Sequence, residues 1–140
     1  MYDSFHMRVI PASPEVVWDA ITTQEGLRGW WWTETTLEPA AHVGSVAQFR
    51  SYGLLIEFQI DVLEKPTHVK WSNISSFAPE WLGTVLEFRL EPDGKDCLLR
   101  FTHWGIKNDE TDFYATTNTN WGIYMLSLER HLTTGQGMPF

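Results

Sequence analysis

From residue 4 to residue 10, apolar Phe5, Met7 and Val9 alternate with His6 and Arg8. This is the period of two of a half-buried strand, with its apolar side turned to the core. The period then breaks at Ser13-Pro14-Glu15, which has the chemistry of a helix start. Ser supplies a capping oxygen, Pro sits where no N–H bond is lost, and Glu favours the positive end of the helix dipole. Val17, Trp18 and Ile21 form the buried stripe of that helix. It is short, because Thr22-x-x-Glu25 has the form of a capping box for another short helix, running through Leu27 into Trp30-Trp31-Trp32.

Branched and aromatic residues dominate the next seventy or so positions. They predict strands over Val43–Arg50, Leu54–Leu63, His68–Ile74, Leu82–Leu90 and Asp96–His103. Gly53, Lys65-Pro66 and Pro92-Asp93-Gly94 supply turn chemistry between or beside them. Connections this short force antiparallel neighbours, and clean alternation leaves one face of the sheet to be covered. At the C-terminal end the period changes again. Phe113, Thr117, Trp121, Tyr124, Met125, Leu128 and Leu132 follow the spacing of an amphipathic helix, with Ser127, Glu129 and Arg130 on its other side. Gly135, Gly137 and Pro139 end it. The run Thr116-Thr117-Asn118-Thr119-Asn120 is poor helix material, which leaves either a frayed first half or a start near Asn118.

No repeat, linker or low-complexity block interrupts this order, so one domain spans residues 1–140. A sheet with one apolar face needs one covering element, and the long helix is the candidate. The expectation is an α+β fold: a curved antiparallel sheet of six or seven strands wrapped around a long C-terminal helix, with two short helices after the first strand.

Composition adds one anomaly. Eight Trp, eight Phe and four Tyr are more aromatic surface than a core of this size requires, so part of it is expected to line a cavity or a surface. A net charge of −8 without a basic run argues against nucleic acid or an anionic membrane as partner. No stretch approaches the roughly 18 apolar residues that cross a bilayer. The N-terminal residues lack a basic-then-apolar signal, and the single Cys97 has no disulfide partner, so the expected location is cytoplasmic.

Four stretches resemble the helix-grip (START-like) superfamily, which also holds lipid-transfer domains and polyketide cyclases. Within it they are most similar to small bacterial homologues of the activator of the heat-shock-protein-90 ATPase. The stretches are Ala12 to Ile21; Thr23-Gln24-Glu25-Gly26-Leu27-Arg28-Gly29-Trp30-Trp31; the hairpin from Leu86 to Gly94 and on to His103; and Asn120-Trp121-Gly122 through Leu132-Thr133-Thr134-Gly135. Trp32, a third consecutive Trp, departs from the pattern. The resemblance implies the helix-grip fold with a cavity between sheet and helix. Strand alternation then turns Phe49, Phe58, Trp71, Phe88, Phe101 and His103 toward Trp121, Tyr124, Met125 and Leu128, with Trp31 roofing the mouth. Trp30 anchors the short helices, and the third indole is left for the surface, as a mark of a partner or homodimer patch.

The expected ligand is a small apolar or aromatic molecule. His103 is the inward polar residue, read either as a base or as a satisfied structural histidine. Glu57, Asp61, Glu87 and Arg89 have outward parity, so no acid–base pair emerges. The five histidines lack metal-ligand spacing, no Gly-x-Ser-x-Gly is present, and neither a metal nor a cofactor is expected. Three functions stand: a hydrophobic-ligand binder, a polyketide-cyclase-like enzyme, and a chaperone-associated ATPase-activator-like module.

Overall fold

The computed structural model describes residues 1–107 and 111–140. In chain order these form β1 (Tyr2–Ile10), α1 (Pro14–Thr22), α2 (Gln24–Trp30), β2 (Glu34–Thr36), β3 (Val46–Ser51), β4 (Leu54–Glu64) and β5 (His68–Ser76). A 3-10 turn at Pro79–Trp81 leads to β6 (Val85–Asp93), β7 (Asp96–Ile106) and α3 (Thr111–Thr134). The seven strands make one sheet in the order β1-β7-β6-β5-β4-β3-β2, every neighbouring pair antiparallel. The sheet curves around α3, and α1 and α2 close one end. This is the α+β helix-grip architecture that the residue pattern predicts.

Local chemistry sets the joints. Ser13 Oγ accepts the Val16 N–H at 3.3 Å at the start of α1. The cap of α2 is Thr23, not Thr22: Thr23 Oγ1 accepts the Gly26 N–H at 3.1 Å, while Thr22 is still helical and donates its hydroxyl to Trp18 O. The expected capping box is therefore displaced by one residue. Gly26 lets α2 cross α1 backbone to backbone, since a Cβ there would lie 2.5 Å from Ala20 Cα. Tyr52 and Gly53 both take positive φ, 50° and 79°, the two-residue turn whose twist suits the β3–β4 hairpin.

Four further expectations need correction. β1 has the opposite parity: Phe5, Met7 and Val9 point away from α3, and Ser4 and Ile10 are buried, with His6 and Arg8 half-buried beneath the helix. Polar side chains on α3 decide this. Asn118 Oδ1 accepts the Ser4 hydroxyl at 2.6 Å, and Glu129 holds Arg8 through two bonds of 3.0 and 2.8 Å. Second, α3 is helical from Thr111, so the Thr/Asn-rich run does not delay it. Tertiary contacts outweigh propensity there: Tyr114 donates to Asp3 O at 2.8 Å, and buried Thr117 accepts the Trp81 N–H. Third, Ser127 is fully buried, because it bridges α2 to the C-terminal tail. Fourth, the strand expected from Leu82 begins at Val85, since Thr84 still belongs to the turn and donates to Trp81 O.

Candidate functional site

The chain leaves α2 through three consecutive indoles, and all three are buried, at 0%, 3% and 5% exposure for Trp30, Trp31 and Trp32. No surface patch forms from them. The expected outward Trp32 instead packs on Phe140, ring centres 5.3 Å apart, because the C-terminal tail folds back over it. Three hydrogen bonds fasten the tail, and a fourth ties its Ser127 anchor to α2. Phe140 N donates to Trp31 O at 2.6 Å, and Phe140 O accepts the Thr33 N–H. Ser127 Oγ donates to Trp30 O and accepts the Met138 N–H. Trp30 in turn donates its indole N–H to Ala20 O at 2.8 Å.

Held this way, Trp31 points into the space between sheet and helix. Its ring centre lies 4.4 Å from Phe49, 5.2 Å from Trp121, 6.1 Å from Phe58 and 6.3 Å from Tyr124. Phe101 packs at a tilt against Trp121, ring centres 4.1 Å apart, and against Phe88 at 4.9 Å. Met125, Leu128 and Trp71 complete the same core. All eleven residues picked from the sequence thus come together, ten of them buried and Tyr124 half-buried. The volume expected for a ligand, however, is filled by the Trp31 indole. What remains is a void of about 10 Å³ walled by Ile21, Leu27, Trp31, Phe49, Phe58, Trp71, Leu86 and Phe88. That is at the lower limit for one water, and the lining is apolar. Trp31 Nε1 is buried in this setting without a hydrogen-bond partner. Such an orphaned donor is uncommon and costs free energy. The Trp32 N–H approaches the Tyr124 hydroxyl without closing a hydrogen bond, and burial pushes that phenol above its usual range.

His103 is fully buried, and both ring nitrogens are engaged. Trp121 Nε1 donates to Nδ1 at 3.0 Å, so Nδ1 carries no proton. Nε2 is then the protonated nitrogen and donates to Thr84 Oγ1 at 2.8 Å, which passes its own hydrogen to Trp81 O at 2.6 Å. Trp81 also lies edge-on to the imidazole at 5.2 Å. Burial lowers the His103 pKa to about 3, so the ring is neutral near pH 7. It can orient Trp121, but it has no free lone pair to act as a base.

The outward acidic residues behave differently from one another. Asp61 is exposed, but the Glu87 side chain on the outer sheet face is buried under its neighbours. Its carboxylate accepts from His68 Nε2 at 2.6 Å and Trp104 Nε1 at 3.0 Å and pairs with Arg89 at 3.1 Å. Burial alone would raise this carboxyl, but the His68 and Trp104 hydrogen bonds and the Arg89 and Lys70 charges hold it below its usual value. A wide groove of about 760 Å³ also runs between the α1–α2 junction and the loop after β2. Trp18, Thr22, Leu37 and Leu63 line it, with Asp19, Glu25 and Glu38 at its polar margin. Sequence reasoning missed the groove, the Trp81–Thr84 partners of His103, and the Ile21, Leu27 and Leu86 walls. The last three were legible as apolar positions but not as neighbours of Trp31. Among the described residues no cluster of His, Cys, Asp or Glu could hold a metal ion, and no helix is long and apolar enough to cross a membrane.

The family model described as "Activator of Hsp90 ATPase homolog 1-like protein" matches residues 11–133. The chain belongs to this family. Its fold is similar to the solution structure of the Aha1 dimer from Colwellia psychrerythraea, at 35% identity and a TM-score of 0.84, covering 98% of this chain and 100% of that one. It is also similar to protein MLL2253 from Mesorhizobium loti, at 22% identity and TM-score 0.81, covering 94% and 96% of the two chains. CalU16 from Micromonospora echinospora shares the fold at 18% identity and TM-score 0.70, covering 94% of this chain and 74% of that one. No protein with a curated functional description matches the chain. Within the activator-homologue family, then, this member presents a packed aromatic interior, a neutral structural histidine and an open acidic groove.

Proposed function

We propose that this protein binds a small apolar or aromatic molecule between the sheet and α3, in the volume that the Trp31 indole occupies when the site is empty. The observation that carries this reading is the Trp31 N–H, buried without a partner beside a void with wholly apolar walls. A ligand with an apolar body and one hydrogen-bond acceptor would satisfy that donor while replacing the indole against Phe49, Phe58 and Trp71. Binding is favoured over cyclase-like catalysis because both nitrogens of His103, the one inward imidazole picked from the sequence, are already committed. We further propose that the chain self-associates as a homodimer, as its Aha1 relative does.

A thermal-shift titration of the wild type and of Trp31→Phe with quinoline, a medium-chain fatty acid and, as the probe without an acceptor, naphthalene tests the binding reading, followed by native mass spectrometry. Trp31→Phe enlarges the void while keeping an aromatic ring. Quinoline and the fatty acid, which carry an acceptor, are expected to stabilise the wild type more than the variant, which has lost the N–H. At a hundredfold excess over Kd the gain is about 2.7 kcal/mol, several degrees in Tm. If no probe moves either protein and only the bare mass is found, the reading fails.

A further inference from the structure

We propose that the second copy in this homodimer docks on β1, edge strand against edge strand, antiparallel about a two-fold axis, with Phe5, Met7 and Val9 of both copies closing over one another. This rests on the self-association proposed above and names its surface. β1 lies at one end of the sheet order and runs for nine residues, whereas the strand at the other end, β2, has three. Natural sheets blunt exposed edges with short strands, with Pro or with Lys on the outward side. β1 carries neither Pro nor Lys between Tyr2 and Ile10, and its one irregularity lies between Tyr2 and Ser4, outside the stretch from Phe5 to Val9. Its one basic side chain, Arg8, turns inward and is tied to Glu129.

The outward side of β1 is instead an apolar strip. Phe5, Met7 and Val9 are 64%, 68% and 46% exposed. Trp104 on the neighbouring β7 is 38% exposed and meets Phe5 edge-to-face at 5.5 Å. Along β1 the strip is unbroken from Phe5 to Val9; on β7 it is flanked by Leu98 opposite Val9 and Thr102 opposite Phe5, with Arg100, paired to Glu91, opposite Met7. A two-fold axis through Met7 sets Met7 against Met7 and Phe5 against Val9 of the second copy, so every outward apolar residue faces another. An antiparallel pair is stabilised by such cross-strand contacts, and its register is fixed by them. A partner of different sequence would need the same three-residue apolar pattern; a second copy has it by symmetry. On the inner side the same axis sets His6 opposite Arg8. Burial lowers the His6 pKa, so the pair does not place two cations together at neutral pH. Gly122 of α3 lies over His6 with no side chain to block approach.

Light scattering coupled to size exclusion, over a dilution series, reads the outcome. The wild type is expected to be a dimer. Met7→Lys, which brings two ammonium groups together at the axis, and Val9→Lys are each expected to weaken it by at least about tenfold in Kd with unchanged circular dichroism, since both sites are exposed. Thr36→Lys on the opposite edge is expected to have no effect. Mixing Met7→Lys with Met7→Glu is expected to restore a dimer, because residue 7 then faces a charge of opposite sign. A wild type that stays monomeric at every concentration overturns self-association itself. A dimer unchanged by both β1 substitutions, or a charge pair that fails to re-form one, overturns this surface while leaving the homodimer standing.

Discussion

The buried His103 makes stability depend on pH in a direction and a window that follow from its surroundings. In the folded chain its pKa is about 3, against 6.5 for an exposed imidazole. Below about pH 6.5 the unfolded chain takes up a proton that the folded chain refuses, so stability falls with acidification, by about 1.4 kcal/mol per pH unit for this one group. Between about pH 6.5 and about pH 4 the loss is about 3 kcal/mol, a large fraction of a domain's total. His103→Gln removes the titration. It keeps a donor for Thr84 but leaves the Trp121 N–H without its acceptor, a cost of about 1–3 kcal/mol near neutrality. Urea unfolding of both proteins at a series of pH values gives two stability curves. Their difference cancels the contributions of His6, Glu87 and the other carboxylates, which titrate alike in both. The wild type is expected to be the more stable near neutral pH, the curves to cross near about pH 5, and the variant to be the more stable at about pH 4. A difference that stays flat across this window would mean that the folded protein protonates His103 freely, and the sealed Trp121–His103–Thr84 chain would be wrong.

Gly26→Ala pits helix propensity against space. Ala gains about 1 kcal/mol of intrinsic preference, but its Cβ would press on the Ala20 backbone, and overpacking of this kind costs about 1–3 kcal/mol, so a lowered urea midpoint is expected. An unchanged or raised midpoint would show that α1 and α2 can separate freely. Ser127→Ala removes the hydroxyl that joins Trp30 O to Met138 N; a loss of about 1–3 kcal/mol and faster amide exchange at Met138 and Phe140 are expected. Unaltered exchange at those amides would show that the tail is held without it.

Element order was legible in the sequence because each signal is local. The alternation of Leu86, Phe88 and Leu90 followed by Pro92-Asp93-Gly94 specifies a hairpin on its own, and it forms in that register, Asp93 opposite Asp96. The spacing of Trp121, Met125 and Leu128 likewise needs no partner to be read as one helix face. The misreadings share a different cause. Thr117 and Asn118 are poor helix formers, yet they hold α3 through contacts with residues more than thirty positions away, Trp81 and Ser4. Ser127 reads as a surface polar residue until the tail returns over it. The aromatic side chains chosen from the pattern do meet in the core, since strand parity and helix face are periodic. Whether it encloses space was not readable, because that depends on how far Trp31 reaches from the end of α2, and adjacent indoles carry no signal of depth.

The inverted parity of β1 is the most informative of these failures. Phe5, Met7 and Val9 spell an inward face, and burying them would remove apolar area worth about 25 cal/mol per Å² from water. The chain instead turns Ser4, His6 and Arg8 under α3 and satisfies them with Asn118 and Glu129, which are polar at the matching turns of the helix. Polar complementarity on one side of the strand and apolar residues on the other are therefore two halves of a single arrangement. Departures from a local rule gather at functional or strained sites. The same reasoning applies to the orphaned Trp31 donor on the opposite face of the sheet, where an apolar wall has no use for an N–H unless an acceptor arrives. The two departures lie on different layers and engage different residues, so the proposed face for a second copy and the proposed interior for a small molecule do not compete for the same side chains.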